Sequence, residues 1–221
     1  MVRIKVTLKF NTRFLYEQLN LDNEDPDSGH DFGKDIIPKL VQSHRVFAHR
    51  FADSCVNMVG DVPYWRDVGT VDAYWEANMD LVHVTPDLNL YDDDWPIRTH
   101  QAQLPPAKFV FNDDGLRGHA MDSMISGGCI ISGATIERSL LFLKVRVGEH
   151  SLIQDSVILP HVEIGRHVTL KRVVVDMHCK IPDGFTAGMD LALDQQRFHV
   201  TERGITLITP EMLGQAVRQV R

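Results

Sequence analysis

The chain has 221 residues, 43% of them hydrophobic and 24% charged, which excludes intrinsic disorder and leaves material for one large or two modest cores. A formal net charge of -7, with no Lys/Arg run longer than Lys171-Arg172, gives no general electrostatic reason to bind nucleic acid or an anionic membrane. No run of about 18 apolar residues occurs, and the opening MVRIKVTLKFNTRF lacks the continuous apolar core of a signal peptide, so a soluble, cytoplasmic protein is expected. Cys55, Cys129 and Cys179 are odd in number, widely spaced and free of CxxC pairing, which points to neither a disulfide framework nor a zinc site.

In chain order, Asn11 is placed to cap a helix carrying Phe14, Leu15 and Leu19, and His30 to Gln42 reads as a second helix interrupted by Pro38. Residues 45–51 and 62–66 read as short strands. After Thr70 the apolar positions Val71, Tyr74, Trp75, Met79 and Val82 recur at helical spacing, with Asp72 in the first turn where the helix dipole favours a carboxylate. Trp65 and Trp75 fit core packing better than a sugar-stacking role. The segment 1–95 therefore reads as the end of an α/β domain, with no Gly-rich loop after a strand near its start. Residues 96–124, rich in Pro, Gly and Asp (Trp95-Pro96, Leu104-Pro105-Pro106, Asn112 to Gly115), read as a connection to a second domain, 125–221.

In that second domain the period becomes six, with aliphatic residues opening hexads at Ile125, Ile131, Val147, Ile153, Leu159, Ile164 and Leu170. The physical reading is a parallel β-helix of triangular section, each hexad one flat side and three hexads one coil, over two to three coils. A β-sandwich would instead show period two. One-residue slips after Ile131 and Leu159 make the coils irregular, and the exposed strand edges at their ends favour oligomerisation. His150, His161 and His167 occupy corner-like positions and read as surface residues; the alternative is the general base of a hexapeptide acyltransferase.

Six words in order, His30 to Pro38 (HDFGKDIIP), Tyr64 to Thr70 (YWRDVGT), Ala73 to Asn78 (AYWEAN), Tyr91 to Thr99 (YDDDWPIRT), Leu104 to Phe109 (LPPAKF) and Ser126 to Gly133 (SGGCIISG), resemble bacterial glucose-1-phosphate adenylyltransferases (ADP-glucose pyrophosphorylases). The resemblance extends to the tail Gly204 to Leu213. It implies the C-terminal part of a Rossmann-like nucleotidyltransferase domain followed by a left-handed parallel β-helix, an α/β plus β chain. It also implies a reaction, ATP plus glucose 1-phosphate giving ADP-glucose and pyrophosphate in glycogen biosynthesis. That chemistry is an in-line attack on the α-phosphorus, which rests on metal ions, basic residues and alignment.

Asp67 is the first candidate catalytic residue. It stands after Arg66 and before Val68-Gly69-Thr70, and a carboxylate there is a hard oxygen ligand suited to Mg2+. The resemblance implies that it is the metal ligand; the bland alternative is a capping or salt-bridged Asp beside Arg66. The resemblance also places Asp31 and Lys34 near the sugar phosphate, against the alternative of a solvated lysine at a helix end.

Three departures from the family pattern set further expectations. The family's Gly-rich phosphate loop, its first metal-binding aspartate and its Glu-Lys-Pro word do not occur in these residues; Ile4 to Leu8 stand where the family has a Ser-Met-Gly-Ile-Tyr-like strand; and Met177 stands where relatives carry an effector-linked arginine. A chain inactive alone is expected, binding ATP and glucose 1-phosphate only when completed by an N-terminal half. The alternative is a non-catalytic regulatory partner, with a homo-oligomer or a hetero-oligomer with pyrophosphorylase subunits in either case.

Overall fold

The computed structural model of the chain describes residues 10–53, 58–59, 62–93, 96–111 and 116–216. Ile4 to Leu8, Cys55, Trp95 and Asn112 to Gly115, singled out in the sequence, lie outside the described residues. The chain separates into two compact units, residues 1–63 and 64–221.

In the first unit, helix α1 (Thr12–Asn23) opens at Asn11, whose Oδ1 accepts from the amides of Arg13 and Phe14. The loop that follows is tied down at both ends. Buried Asp22 accepts from Ser28 Oγ at 2.6 Å and lies 2.9 Å from His30 Nδ1, and Lys39 pairs with Asp25 at 2.7 Å. The hydrogen bonds from Ser28 and His30 hold the Asp22 carboxyl below its ordinary range. A wide π turn (Phe32–Ile36) then runs into α2 (Ile37–Ser43), with Pro38 at its start. Pro38 offers no amide to the carbonyl four residues before it, and the wide turn sits at that break.

Residues 45–51 do not form the expected strand: 44–50 have no regular structure and Phe51–Asp53 is a single 3-10 turn. Val46 and Phe47 are 51% and 79% exposed, so their apolar character is spent on no core. The strand expected over 62–66 shrinks to β2 (Val62–Pro63), paired antiparallel with β1 (Met58–Val59).

The second unit is a parallel solenoid of three faces preceded by helix α3 (Val71–Asp80). The first face stacks β3 (Lys108–Val110), β6 (Ile130–Ser132), β9 (Arg146–Val147), β12 (Glu163–Ile164) and β15 (Lys180–Ile181). The second stacks β4 (His119–Met121), β7 (Thr135–Glu137), β10 (Leu152–Gln154), β13 (Thr169–Lys171) and β16 (Thr186–Ala187). The third stacks β5 (Met124–Ile125), β8 (Leu140–Leu141), β11 (Val157–Ile158), β14 (Val173–Val175) and β18 (Thr206–Ile208), with β17 (His199–Val200) antiparallel to β18. Helix α4 (Leu191–Gln195) is inserted in the last coil.

Three corrections to the sequence expectation follow from this register. The central coils repeat at 16 or 17 residues rather than 18: Ile131 stacks on Val147, 16 positions on, while Ile136, Ile153, Leu170 and Ala187 stack at intervals of 17. The shortfall arises at short corners, where only two residues separate β10 from β11, and likewise β6 from β7 and β7 from β8, and these corners account for the slips in the hexads. Among the described residues the solenoid has five coils, not two to three, and its first strand starts at Lys108, inside the stretch 96–124 read as a connection. The first coil was hidden because Phe109 pairs with Ile131, 22 residues on, and the last because α4 and β17 lie between Val175 and its partner Ile208. Finally α3, placed by pattern with residues 1–95, packs on the solenoid: Met79 joins Leu140, Val157, Val174 and Ile205 in one buried cluster, with Tyr74 and Trp75 against it.

The core is the stack of inward aliphatics, Ile131, Ile136, Leu141, Ile153, Ile158, Leu170 and Val175 among them, all fully buried. Each contributes about 1.5–3 kcal/mol of burial. Buried serines finish the corners: Ser139 Oγ accepts from the Ser156 amide at 3.1 Å, Ser156 Oγ from Val173 at 3.2 Å, and Ser151 Oγ from Val168 at 3.0 Å. Each corner turns on a left-handed residue, in the ladders Lys144-His161-His178, His150-His167 and Asp122-Arg138-Asp155-Arg172. The histidines thus sit at corners as expected, His150 stacked on His167 and His161 on His178 at 4.9 Å. Gln215 closes the edge of β15, its side-chain amide bonding both the N–H (2.9 Å) and the C=O (2.6 Å) of Lys180.

Candidate active site

Asp67 stands in the second unit on the exposed segment that enters α3. Its Oδ1 accepts from the Gly69 amide at 3.1 Å, a local turn on an exposed stretch of chain. A Cβ on Gly69 would lie 3.2 Å from that same oxygen, so glycine leaves the carboxylate its room. Thr70 then caps α3, accepting from Ala73 at 3.2 Å.

The neighbours of Asp67 are fixed from both ends of α3. Arg66 reaches back to the helix C-terminus, 2.6 Å from Asp87 and 3.8 Å from Asp80, with its guanidinium over Tyr64. Burial pushes the Tyr64 phenol up. At the other end, Asp72 accepts from Thr201 Oγ1 at 2.5 Å, and Glu76 pairs with Arg203. Between them Trp75 donates its indole N–H to the carbonyl of Asp155 at 2.7 Å, and Arg172 lies over its ring at 4.8 Å while donating to the Arg203 carbonyl at 3.0 Å. Trp75 is therefore a packing residue, as its spacing suggested; Trp65 is 38% exposed.

Asp31 and Lys34 belong to the first unit. Asp31 caps the π turn, Oδ1 accepting from Gly33 at 2.8 Å and Lys34 at 3.0 Å, while its own amide donates to Asp35 at 2.9 Å. The Lys34 ammonium is well exposed and lies 3.7 Å from Asp31 Oδ2. Asp31 thus fixes the turn that presents Lys34.

Among the described residues no three His, Cys, Asp or Glu side chains cluster into a metal cage. A single exposed carboxylate such as Asp67 nevertheless suits a cation that takes one or two protein oxygens and completes its shell with phosphates and water, as Mg2+ does. A shallow open hollow of about 420 Å³ lies elsewhere, on the first face, lined by Arg146, Gly148, Glu163, Gly165 and Lys180. Its small residues have a packing cause, since a Cβ on Gly148 would meet Gly165 O at 2.6 Å.

Two family models match the chain, Nucleotidyl transferase over residues 8–83 and GlmU-like, C-terminal hexapeptide over residues 105–208. The glucose-1-phosphate adenylyltransferase of Nitrosospira multiformis is 66% identical over 212 residues, 96% of this chain and 50% of that protein. That of Nitrosomonas europaea is 65% identical over 213 residues, 96% of this chain and 49% of that protein, and that of Methylobacillus flagellatus 62% over 212 residues, 96% and 50%. The chain is homologous to about half of a glucose-1-phosphate adenylyltransferase. It resembles their C-terminal half, combining nucleotidyl transferase sequence with a hexapeptide solenoid, and spans about half the length of the curated relatives it matches.

Within this adenylyltransferase-like half the nucleotidyl transferase match ends at residue 83, past α3, whereas the compact units divide at 63/64. Helix α3 is transferase sequence held by the solenoid. The residues that hold it, Asp155, Arg172, Thr201 and Arg203, carried no sequence signal, because their partners lie 80 or more positions away and none forms a motif. No helix of the described residues is long and apolar enough to cross a membrane.

Proposed function

We propose that the chain supplies the C-terminal part of a cytoplasmic glucose-1-phosphate adenylyltransferase, forming ADP-glucose and pyrophosphate from ATP and glucose 1-phosphate together with an N-terminal nucleotide-binding half. The observation that carries this reading is the exposed Asp67 carboxylate, held at the entry to an anchored helix in a chain 66% identical to such an enzyme. Asp67 is the ligand to Mg2+, which would neutralise charge on the nucleotide phosphates. Lys34, presented by the Asp31-capped turn, pairs with the sugar phosphate as a point charge. Assembly into a homo-oligomer, or a hetero-oligomer with pyrophosphorylase subunits, is part of the same reading.

The test combines the chain with an intact N-terminal half from a close relative and follows ADP-glucose and pyrophosphate. Asp67→Asn is expected to lower the rate by orders of magnitude, and Lys34→Ala to raise the glucose 1-phosphate requirement. An Asp67→Asn enzyme as fast as the parent overturns the metal assignment.

A further inference from the structure

We propose that Thr201 and Arg203, on the hairpin loop between β17 and β18 of the last solenoid coil, are positioning residues for Asp67. This rests on the reading of Asp67 as a metal ligand. The loop turns through Gly204 at φ 75°, and within it the Thr201 hydroxyl is itself fixed, accepting from the Ile205 amide at 3.1 Å while donating to Asp72 at 2.5 Å. Asp72 and Glu76 are four residues apart, on one face of α3, so the loop holds the helix at two successive turns, through Thr201 and through Arg203. Arg172 ties the loop back to the solenoid by donating to the Arg203 carbonyl and covers Trp75 from the same side.

The link to Asp67 is short and has little slack. Only Val68, Gly69 and Thr70 separate Asp67 from the helix; Thr70 is its cap, and Gly69 is hydrogen-bonded to Asp67 itself. On the other side Arg66 is tied to Asp80 and Asp87 at the far end of α3. A helix that shifts or frays at its first turn therefore carries the carboxylate with it. The last coil of the solenoid, more than 120 residues away in sequence, sets where the ligand oxygen stands. Outer partners of this kind tune metal affinity without touching the metal.

The experiment uses Thr201→Val, which removes the hydroxyl at nearly constant shape, and Thr201→Ser, which keeps it. In the full chain alone, amide hydrogen exchange at Ala73 to Trp75 is expected to quicken in Thr201→Val and to return to parental rates in Thr201→Ser; unchanged exchange in Thr201→Val overturns the hold on α3. In the chain combined with the N-terminal half, Thr201→Val is expected to raise the Mg2+ concentration for half-maximal rate by roughly 10-fold, with Thr201→Ser restoring it. A quickened exchange with an unchanged Mg2+ curve shows a purely structural contact and also overturns the proposal. Asp67→Asn, measured alongside, separates the two ideas: if it leaves rate and Mg2+ curve untouched, the metal reading has failed, whatever the exchange data say about Thr201.

Discussion

The indole N–H of Trp75 donates to the backbone carbonyl of Asp155 at 2.7 Å, joining a helix of nucleotidyl transferase sequence to a corner of the solenoid. Asp155 is a left-handed corner residue whose carboxylate is gripped by Arg138 at 2.7 and 3.1 Å, so the acceptor is rigid. The contact combines a hydrogen bond with the cation-π cover of Arg172 and the burial of the ring face.

Replacing Trp75 with Phe keeps most of the apolar area and removes the donor. The Asp155 carbonyl then loses its partner at a half-buried site, and the second unit is expected to lose about 1–2 kcal/mol. Urea unfolding followed by circular dichroism checks this; an unchanged midpoint at unchanged slope would mean that water replaces the indole without loss.

Ile153 is stacked between Ile136 below and Leu170 above and is fully buried. Ile153→Ala opens a cavity that neighbours in a triangular section have little freedom to fill, and is expected to cost about 2–5 kcal/mol. Because each coil contacts only its neighbours, the damage falls on the central coils first. Hydrogen exchange should show Leu152 and Thr169 losing protection before the amides of β18.

The central coils were legible because their residues repeat without insertion: Ile131, Val147, Ile153, Ile164 and Leu170, read as hexad openers, all point into the core, whereas Leu159, read the same way, cedes the inward place to Ile158 and packs in the outer cluster instead. The outer coils were not, since the paired positions Phe109 and Ile131 are 22 residues apart, and the segment holding α4 lengthens the last coil in the same way. The false strand at 45–51 shows the opposite failure, an apolar run that forms no strand among the described residues. For the site, the local part was readable where a motif marked it, as in the Asn11 cap and the Asp67-Val68-Gly69 turn; the Thr70 cap is just as local but was not singled out. The hold of Thr201 on Asp72 spans 129 residues and is fixed only by the fold.

The two described thiols give a pH test of the solenoid core. Cys129 and Cys179 are free and buried, and burial, reinforced by the charges of Asp176 and Glu211, pushes the Cys179 thiol up to about 12. Burial raises Cys129 as well. A thiol in the unfolded chain ionises near about 8.5. Below that value both states hold the proton and the group is neutral to stability; above it the unfolded chain releases the proton while the folded one keeps it, so stability falls as pH rises from about 8.5 toward about 12. Urea midpoints measured across pH 8 to 10 should decline, and Cys179→Ala should flatten the decline while lowering the starting value. The same burial keeps both thiols from reacting, since the thiolate is the nucleophile. Alkylation at pH 8, read by peptide mass spectrometry, should therefore modify Cys129 and Cys179 only in denaturant, and rapid labelling of Cys179 in buffer would show that the last coil opens far more often than its buried contacts predict.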